Sequence, residues 1–417
     1  MQRLYIVCIA FIIAVVYSSV TIAQENQNIS DPFSQAKFVP DIAVIVDTAY
    51  AYRTVKDFNT YEQPGFIHPH HHEESGEHHE HEFNQSNGFN FNYAEISFYS
   101  QVDPYFDLFA VVHASTDGAE VEEAYFTTQQ LPFGFKIKGG KFLSSIGRLN
   151  DRHAHYWDFA DMPLIYKAFF GPQLNEIGIQ VNWIAPLPFY VLLGGEILKG
   201  QNEASFGTEG FAAGTYSVDK ANYPNVYTGY VKTSFDSGNF TVLLGTSGVY
   251  GKTRTNHIDE TGGHAFYGTT YIVGADITLR YDFNSYQYIA LQSEYLYRHK
   301  DGDFYEYEYV GSTTTIEDFT AKQSGLYSQL IVRTGKLTRI GLRYDLLAQN
   351  NVNVESGLPT NMPRYSAMLE YNPTEFSRFR LQYNYDKTLY NNTGNKANHE
   401  IIVQCNLSIG AHGAHSF

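Results

Sequence analysis

Cysteine is almost missing from this chain of 417 residues. Cys8 lies in an apolar N-terminal stretch and leaves Cys405 alone in the remainder, so no internal disulfide can form and stability must come from hydrogen bonding and burial. Basic residues are scarce as well: 28 Lys+Arg against 44 Asp+Glu give a net charge of −16, which argues against nucleic acid as a partner. After residue 23 no apolar run approaches the roughly 18–20 residues of a spanning helix, which excludes a helical multispan transporter. A nucleotide-binding glycine fingerprint, a Gly-x-Ser-x-Gly elbow and a His-Glu-x-x-His zinc motif are all lacking, and no nucleophile–base spacing stands out. The sequence points away from an enzyme and requires no cofactor.

Aromatic residues, by contrast, are abundant at 16%, mostly 34 Tyr and 30 Phe, too many for a disordered chain. Residues 1–23 combine Arg3, an apolar core from Leu4 to Tyr17 and the small-residue ending Thr21-Ile22-Ala23, the pattern of a secretory signal peptide. From Asp41 onward, apolar and polar residues alternate in segments of about ten, the period of strands. Phe379, Leu381, Tyr383 and Tyr385 fall on one face of such a segment, with Arg378, Arg380, Gln382, Asn384 and Asp386 on the other. In the same way Ile340, Leu342, Tyr344 and Leu346 oppose Arg339, Arg343 and Asp345.

Sixteen such strands are predicted, near 42–50, 90–100, 105–114, 120–129, 133–140, 177–184, 188–198, 226–235, 239–249, 270–283, 287–299, 324–334, 338–348, 364–372, 377–387 and 399–409. Short turns such as Val102-Asp103-Pro104, Asn284-Ser285 and Gly335-Lys336 alternate with mostly long polar loops. An even strand number, short turns on one rim and long loops on the other describe an all-β transmembrane antiparallel β-barrel with short periplasmic turns and long extracellular loops. A soluble sandwich would not sort its loops by length so regularly. In lipid, closure removes the sheet edge, whose unpaired backbone groups would each cost several kcal/mol. The expected organisation is a signal peptide over 1–23, a short periplasmic segment over 24–40 and an outer-membrane barrel over 41–417, with a His-rich extracellular loop at 62–82 and an inward-folded loop at 141–176. Lipid and the barrel-assembly machinery are the expected partners, and the location is the outer membrane of a Gram-negative bacterium.

Two constellations could carry chemistry. In the first long loop His68, His70, His71, His72, His78, His79 and His81 are interleaved with glutamates over fourteen residues. Neutral imidazoles and carboxylates suit Zn²⁺, Cu²⁺ or Ni²⁺, and flexible spacing predicts loose, weakly selective binding of divalent metal. In the second, Gly147 to Pro163, His153 and His155 would point to one side of an extended segment and could share an ion with Asp158 or Asp161; the plainer expectation is that these residues serve loop packing. Because that loop also carries Trp157, Phe159, Phe169 and Phe170, it is expected to fold into the lumen. Lumen-facing charges of both signs are expected, among them Arg280, Arg333, Arg343, Arg378 and Arg380 with Glu95, Glu294, Glu370 and Asp386.

The run Val102-Asp103-Pro104-Tyr105-Phe106-Asp107, the strand Glu120-Val121-Glu122-Glu123-Ala124-Tyr125-Phe126, the Gly147–Pro163 stretch and the ending from Gly410 to Phe417 together resemble a family of Gram-negative outer-membrane proteins labelled zinc-regulated receptors. That family is distantly similar to phosphate-selective porins, and its members are often labelled TonB-dependent. The resemblance implies a porin-like barrel and a link to zinc supply; the final Phe417 resembles the terminal residue by which barrels are recognised for assembly. Residues 24–40 fall far short of the plug of roughly 100 residues that precedes a 22-stranded TonB-dependent barrel. The expected function is a porin-like channel for small hydrophilic solutes whose His/Glu loops capture zinc, or alternatively a surface metal-binding or adhesive barrel without significant flux.

Overall fold

The structure is a computed structural model that describes residues 40–56, 60–66, 83–84, 86–116, 118–259, 262–308 and 313–410. The signal peptide expected over 1–23, residues 24–39, the histidine tract from His68 to His81 and the tail with His412, His415 and Phe417 lie outside the described residues.

Sixteen strands form a closed antiparallel barrel, as the alternation predicts. They are β1 (Asp41–Arg53), β2 (Gly88–Gln101), β3 (Phe106–Ala114), β4 (Ala119–Thr128), β5 (Phe135–Leu143), β6 (Asn175–Ile184), β7 (Tyr190–Leu198), β8 (Val226–Ser237), β9 (Phe240–Asp259), β10 (Gly262–Asn284), β11 (Gln287–Glu308), β12 (Thr313–Arg333), β13 (Thr338–Val352), β14 (Met362–Thr374), β15 (Ser377–Asp386) and β16 (Asn398–Gly410). Each pairs with its sequence neighbours, and β1 closes the ring on β16 in the register Ala43↔Gly410 to Arg53↔Glu400.

Period-2 alternation sorts the wall into two surfaces. On β15, Arg378, Arg380, Gln382, Asn384 and Asp386 are buried toward the lumen, while Phe379, Leu381 and Tyr383 are exposed on the outer face, where lipid covers them. β13 repeats this with Arg343 and Asp345 inside and Ile340 and Leu342 outside. Leu342 stands about four residues above the short turn before Thr338, close to mid-membrane, whereas Leu337 sits in that turn. Leu342→Arg is therefore expected to cost ~2–4 kcal/mol and Leu337→Arg only ~0–1, because a cation is penalised by depth in the bilayer. Urea titration of the protein folded in lipid vesicles measures both. Equal costs would place Leu342 away from the hydrocarbon core.

Two expectations need correction. Strands β9 to β12 run to 20, 23, 22 and 21 residues, roughly twice the ~9–11 that span a bilayer, so they continue beyond the membrane as a ridge of paired strands. His257 and His264 face each other across β9 and β10 with ring centroids 5.1 Å apart. The ridge is held by cross-strand aromatic contacts such as Phe266–Phe319 at 5.0 Å and Phe304–Phe319 at 6.1 Å. The inward loop is also shorter than 141–176, because β5 continues to Leu143 and β6 begins at Asn175.

Candidate functional site

Residues 144–174 leave the wall between β5 and β6 and turn into the lumen. Asn150 ties the base of the loop: its Nδ2 donates to the carbonyls of Ser144 (2.7 Å) and Leu174 (3.0 Å), while its Oδ1 accepts the Leu174 amide at 2.7 Å. Gly147 has φ +58, and a Cβ there would collide with the carboxylate of Glu294 and the hydroxyl of Tyr166, so both the bend and the close approach require glycine. The loop carries a 3-10 turn at Ala154–Tyr156 and one short α-helix, α1 (Leu164–Phe170). No side chain of its own caps this helix. Instead the Leu164 amide donates to Asp345 Oδ1 of the far wall at 3.0 Å, and Gly171 ends the helix in the left-handed conformation.

The apolar face of the loop makes a core inside the barrel. Ile165, Tyr166, Phe169 and Phe170 are fully buried with Phe142, Phe206, Leu198 and Tyr327 of the surrounding wall and loops. The loop's polar groups meet the opposite wall. Asp161 accepts from Arg343 Nη2 (2.8 Å) and Gln382 Nε2 (2.7 Å) at one oxygen and from Arg364 Nη1 (2.7 Å) at the other. Both guanidiniums are shared with Asp345, through Arg343 Nε at 3.0 Å and Arg364 Nη2 at 3.2 Å. Burial alone would raise the Asp161 pKa, but Arg343 and Arg364 outweigh it and hold the carboxyl far below its ordinary range. Asp158 accepts from Arg339 Nη1 and Gln329 Nε2, each at 3.0 Å.

The four loop residues singled out from sequence thus divide into two groups. Asp158 and Asp161 are engaged by arginine and glutamine on β12 to β15, and neither joins the cluster of imidazoles and glutamates around His153. A carboxylate so engaged by guanidinium has little electron density left for a cation. His153 and His155 meet the other side of the lumen, their rings 5.7 Å apart. His153 Nε2 lies 2.7 Å from Glu123 Oε2 and its Nδ1 3.0 Å from Glu122 Oε2, while His155 Nδ1 lies 3.2 Å from Glu95 Oε2. Burial disfavours the charged form of both rings. Glu122 and Glu95 outweigh it at His153, whose pKa is held well above the usual imidazole value, whereas at His155 burial prevails and the pKa is lowered.

Sequence reasoning missed His113, Glu122 and Glu123 as partners of this loop. For the two glutamates the reason is a bulge on β4: Val111 pairs with Glu123 and Val112 with Val121, leaving Glu122 as the extra residue. Two consecutive glutamates can then both turn toward the lumen, which strict alternation forbids.

Beside the loop, on the side of the short-turn rim, lies a cavity of about 290 Å³. It is lined by Arg148, Arg152, Arg280, Arg333, Arg339 and Arg378, with Asp158 and Glu370 as the carboxylates, and by His155, Tyr156, Tyr288, Gln292 and Asn372. Arg339 is matched by Asp158 and Glu370. Arg378 donates to the His155 carbonyl at 2.7 Å and stands 4.0 Å from Glu370 Oε2 through Nε, while its Nε and Nη2, like Nε of Arg148, find no hydrogen-bond acceptor among the described residues. The cavity therefore carries an excess of positive charge although the chain as a whole is acidic.

No protein-family model matches the chain. An uncharacterized protein of Aquifex aeolicus (strain VF5) is 48% identical over 393 residues, covering 93% of this chain and 81% of that protein. Among solved structures, the outer-membrane channel DcaP of Acinetobacter baumannii superimposes with a TM-score of 0.54 at 10% identity, over 89% of this chain and 97% of that one. An anion-selective porin from Comamonas acidovorans does so with a TM-score of 0.50 at 12% identity, over 89% and 99%. At such identities the structural likeness shows the fold alone, a porin-like barrel of the outer membrane.

Proposed function

The chain belongs to one family with the Aquifex aeolicus protein and folds as a porin-like barrel of the outer membrane, and from that premise we propose that it is a narrow diffusive channel for small hydrophilic solutes that favours anions. The observation that carries this reading is the lumenal cavity, whose six arginines outnumber the carboxylates that meet them, Asp158 and Glu370 in the lining with Asp151 beside Arg152 and Asp282 on Arg280. In a low-dielectric enclosure fixed charge of one sign concentrates mobile ions of the other, so the excess of guanidinium attracts anionic groups and repels cations. The inward loop fills the lumen on the side of the long loops and makes the constriction.

Reversal potentials of the barrel in a planar bilayer across a potassium chloride gradient test the reading. Anion preference is expected, and Arg152→Gln with Arg280→Gln, both partly exposed in the cavity, is expected to reduce that preference at least several-fold without unfolding the barrel. Cation preference would refute it. The buried loop core favours a second reading, a surface barrel with negligible flux, and that reading is selected if the correctly folded protein gives no channel events. The resemblance to zinc-regulated receptors adds a role for the tract from His68 to His81: loose capture of Zn²⁺ outside the cell, because neutral imidazoles interleaved with carboxylates bind such ions by composition.

A further inference from the structure

Glu95 on β2, His113 on β3, Glu122 on β4 and His153 on the inward loop each offer one ligand atom, all within 4.8 Å of one another. Ligands held ~2.0–2.2 Å from a tetrahedral zinc ion stand roughly 3.4 Å apart. Here His113 Nε2 lies 2.9 Å from Glu122 Oε2 and 3.2 Å from Glu95 Oε2, and His153 Nδ1 lies 3.0 Å and 3.7 Å from the same two oxygens. These separations bracket the required value.

Three features favour an ion over simple ion pairing. His153 Nδ1 and Glu122 Oε2 are buried and face each other at 3.0 Å without a well-aligned hydrogen bond to any described residue, so both remain available to a third atom placed between them. The other nitrogen of His153 lies 2.7 Å from Glu123 Oε2, the carboxylate–histidine arrangement that fixes the tautomer of a metal-ligating imidazole. Finally, Glu95, Glu122 and Glu123 have only imidazoles as ion-pair partners among the described residues, whereas Asp161, Asp345 and Glu370 are met by arginines. A dication would neutralise this excess of negative charge. Two imidazoles with two carboxylates suit zinc and its neighbours better than Ca²⁺ or Mg²⁺.

We propose that Glu95, His113, Glu122 and His153 bind one divalent transition-metal ion of the zinc type, which fastens the inward loop to β2, β3 and β4. The site shares no residue with the histidine tract of 68–81 and takes its ligands from four elements of the barrel interior.

The test uses the full chain folded in detergent, stripped with chelator, loaded with Zn²⁺, desalted and assayed for bound metal. With the seven tract histidines replaced by serine, one zinc per chain is expected. In that background His113→Gln with Glu122→Gln is expected to lose the ion, and Glu123→Gln to weaken binding ~10–100-fold. Heat-modified gel mobility reports that each variant is folded. In the unaltered chain the same glutamine pair must lower total bound zinc by one, a readout that does not require the tract variant to fold. No zinc in the tract-free barrel, or undiminished zinc in the glutamine pair, overturns the proposal. Neither outcome depends on whether the barrel conducts, which the bilayer recordings decide separately.

Discussion

Asp161→Ala is expected to destabilise the protein by about 3–5 kcal/mol and to release the inward loop. The magnitude is that of removing one partner from a buried, hydrogen-bonded ion pair, because the remaining charges stay buried without compensation. In the parent, Arg343 and Arg364 share Asp161 and Asp345, two cations with two anions, and all four side chains are buried. Alanine leaves two guanidiniums on Asp345 and also removes one of the two acceptors of Gln382, leaving only Asn384. Asp161→Asn, which keeps one acceptor oxygen, should lose less. Since this carboxyl has its pKa depressed in the folded state, its stabilisation is fully present above the unfolded value of ~3.9 and is lost as pH falls through the lower folded value. The loop should thus stay docked at neutral and mildly acidic pH, loosening only in strong acid. Urea midpoints of parent and alanine variant at pH 7, paired with single-channel conductance, check this. The loop is not the constriction if the midpoint shifts as expected while conductance is unchanged.

The barrel was legible in the sequence because membrane strands have only two faces and the two demand opposite chemistry. Arg378 to Asp386 and Arg339 to Leu346 announce their faces residue by residue, and both segments fold that way. The inward turn of the loop was legible for a related reason, since Trp157, Phe159, Phe169 and Phe170 need cover that an extracellular loop lacks. The partners of that loop were not legible. Asp161 meets Arg343 and Arg364 about 180 to 200 positions along the chain, and only barrel closure decides which wall residues stand opposite. His153 finds Glu122 because one extra residue in β4 breaks the alternation that serves elsewhere as the guide. Nor did alternation mark where membrane ends and ridge begins: β9 to β12 continue their pairing outside lipid, carried by aromatic and threonine side chains that suit a strand in either solvent.

Phe169→Ala is expected to open the lumen without opening the barrel. Truncating a fully buried phenylalanine costs about 3–5 kcal/mol through lost burial and the cavity left behind. Phe169 is completely buried, packs with Phe66 at 6.3 Å between ring centroids and lies under the Arg298 guanidinium at 4.3 Å. Arg298 also donates to the Ala168 carbonyl at 3.0 Å, so loss of the ring weakens a contact that joins helix α1 to β11. The wall itself depends on none of these contacts, because each strand is held by backbone hydrogen bonds to both neighbours around the closed ring. The penalty therefore falls on docking of the loop, and through Phe66 on the segment of the first long loop that Asn350 holds at the Pro64 carbonyl. Heat-modified gel mobility should match the parent, while protease cleavage between Ser144 and Leu174 and single-channel conductance should both rise. A variant that loses its barrel mobility together with its loop would show that the two fold as one unit, and that the core inside the lumen supports the wall rather than merely filling it.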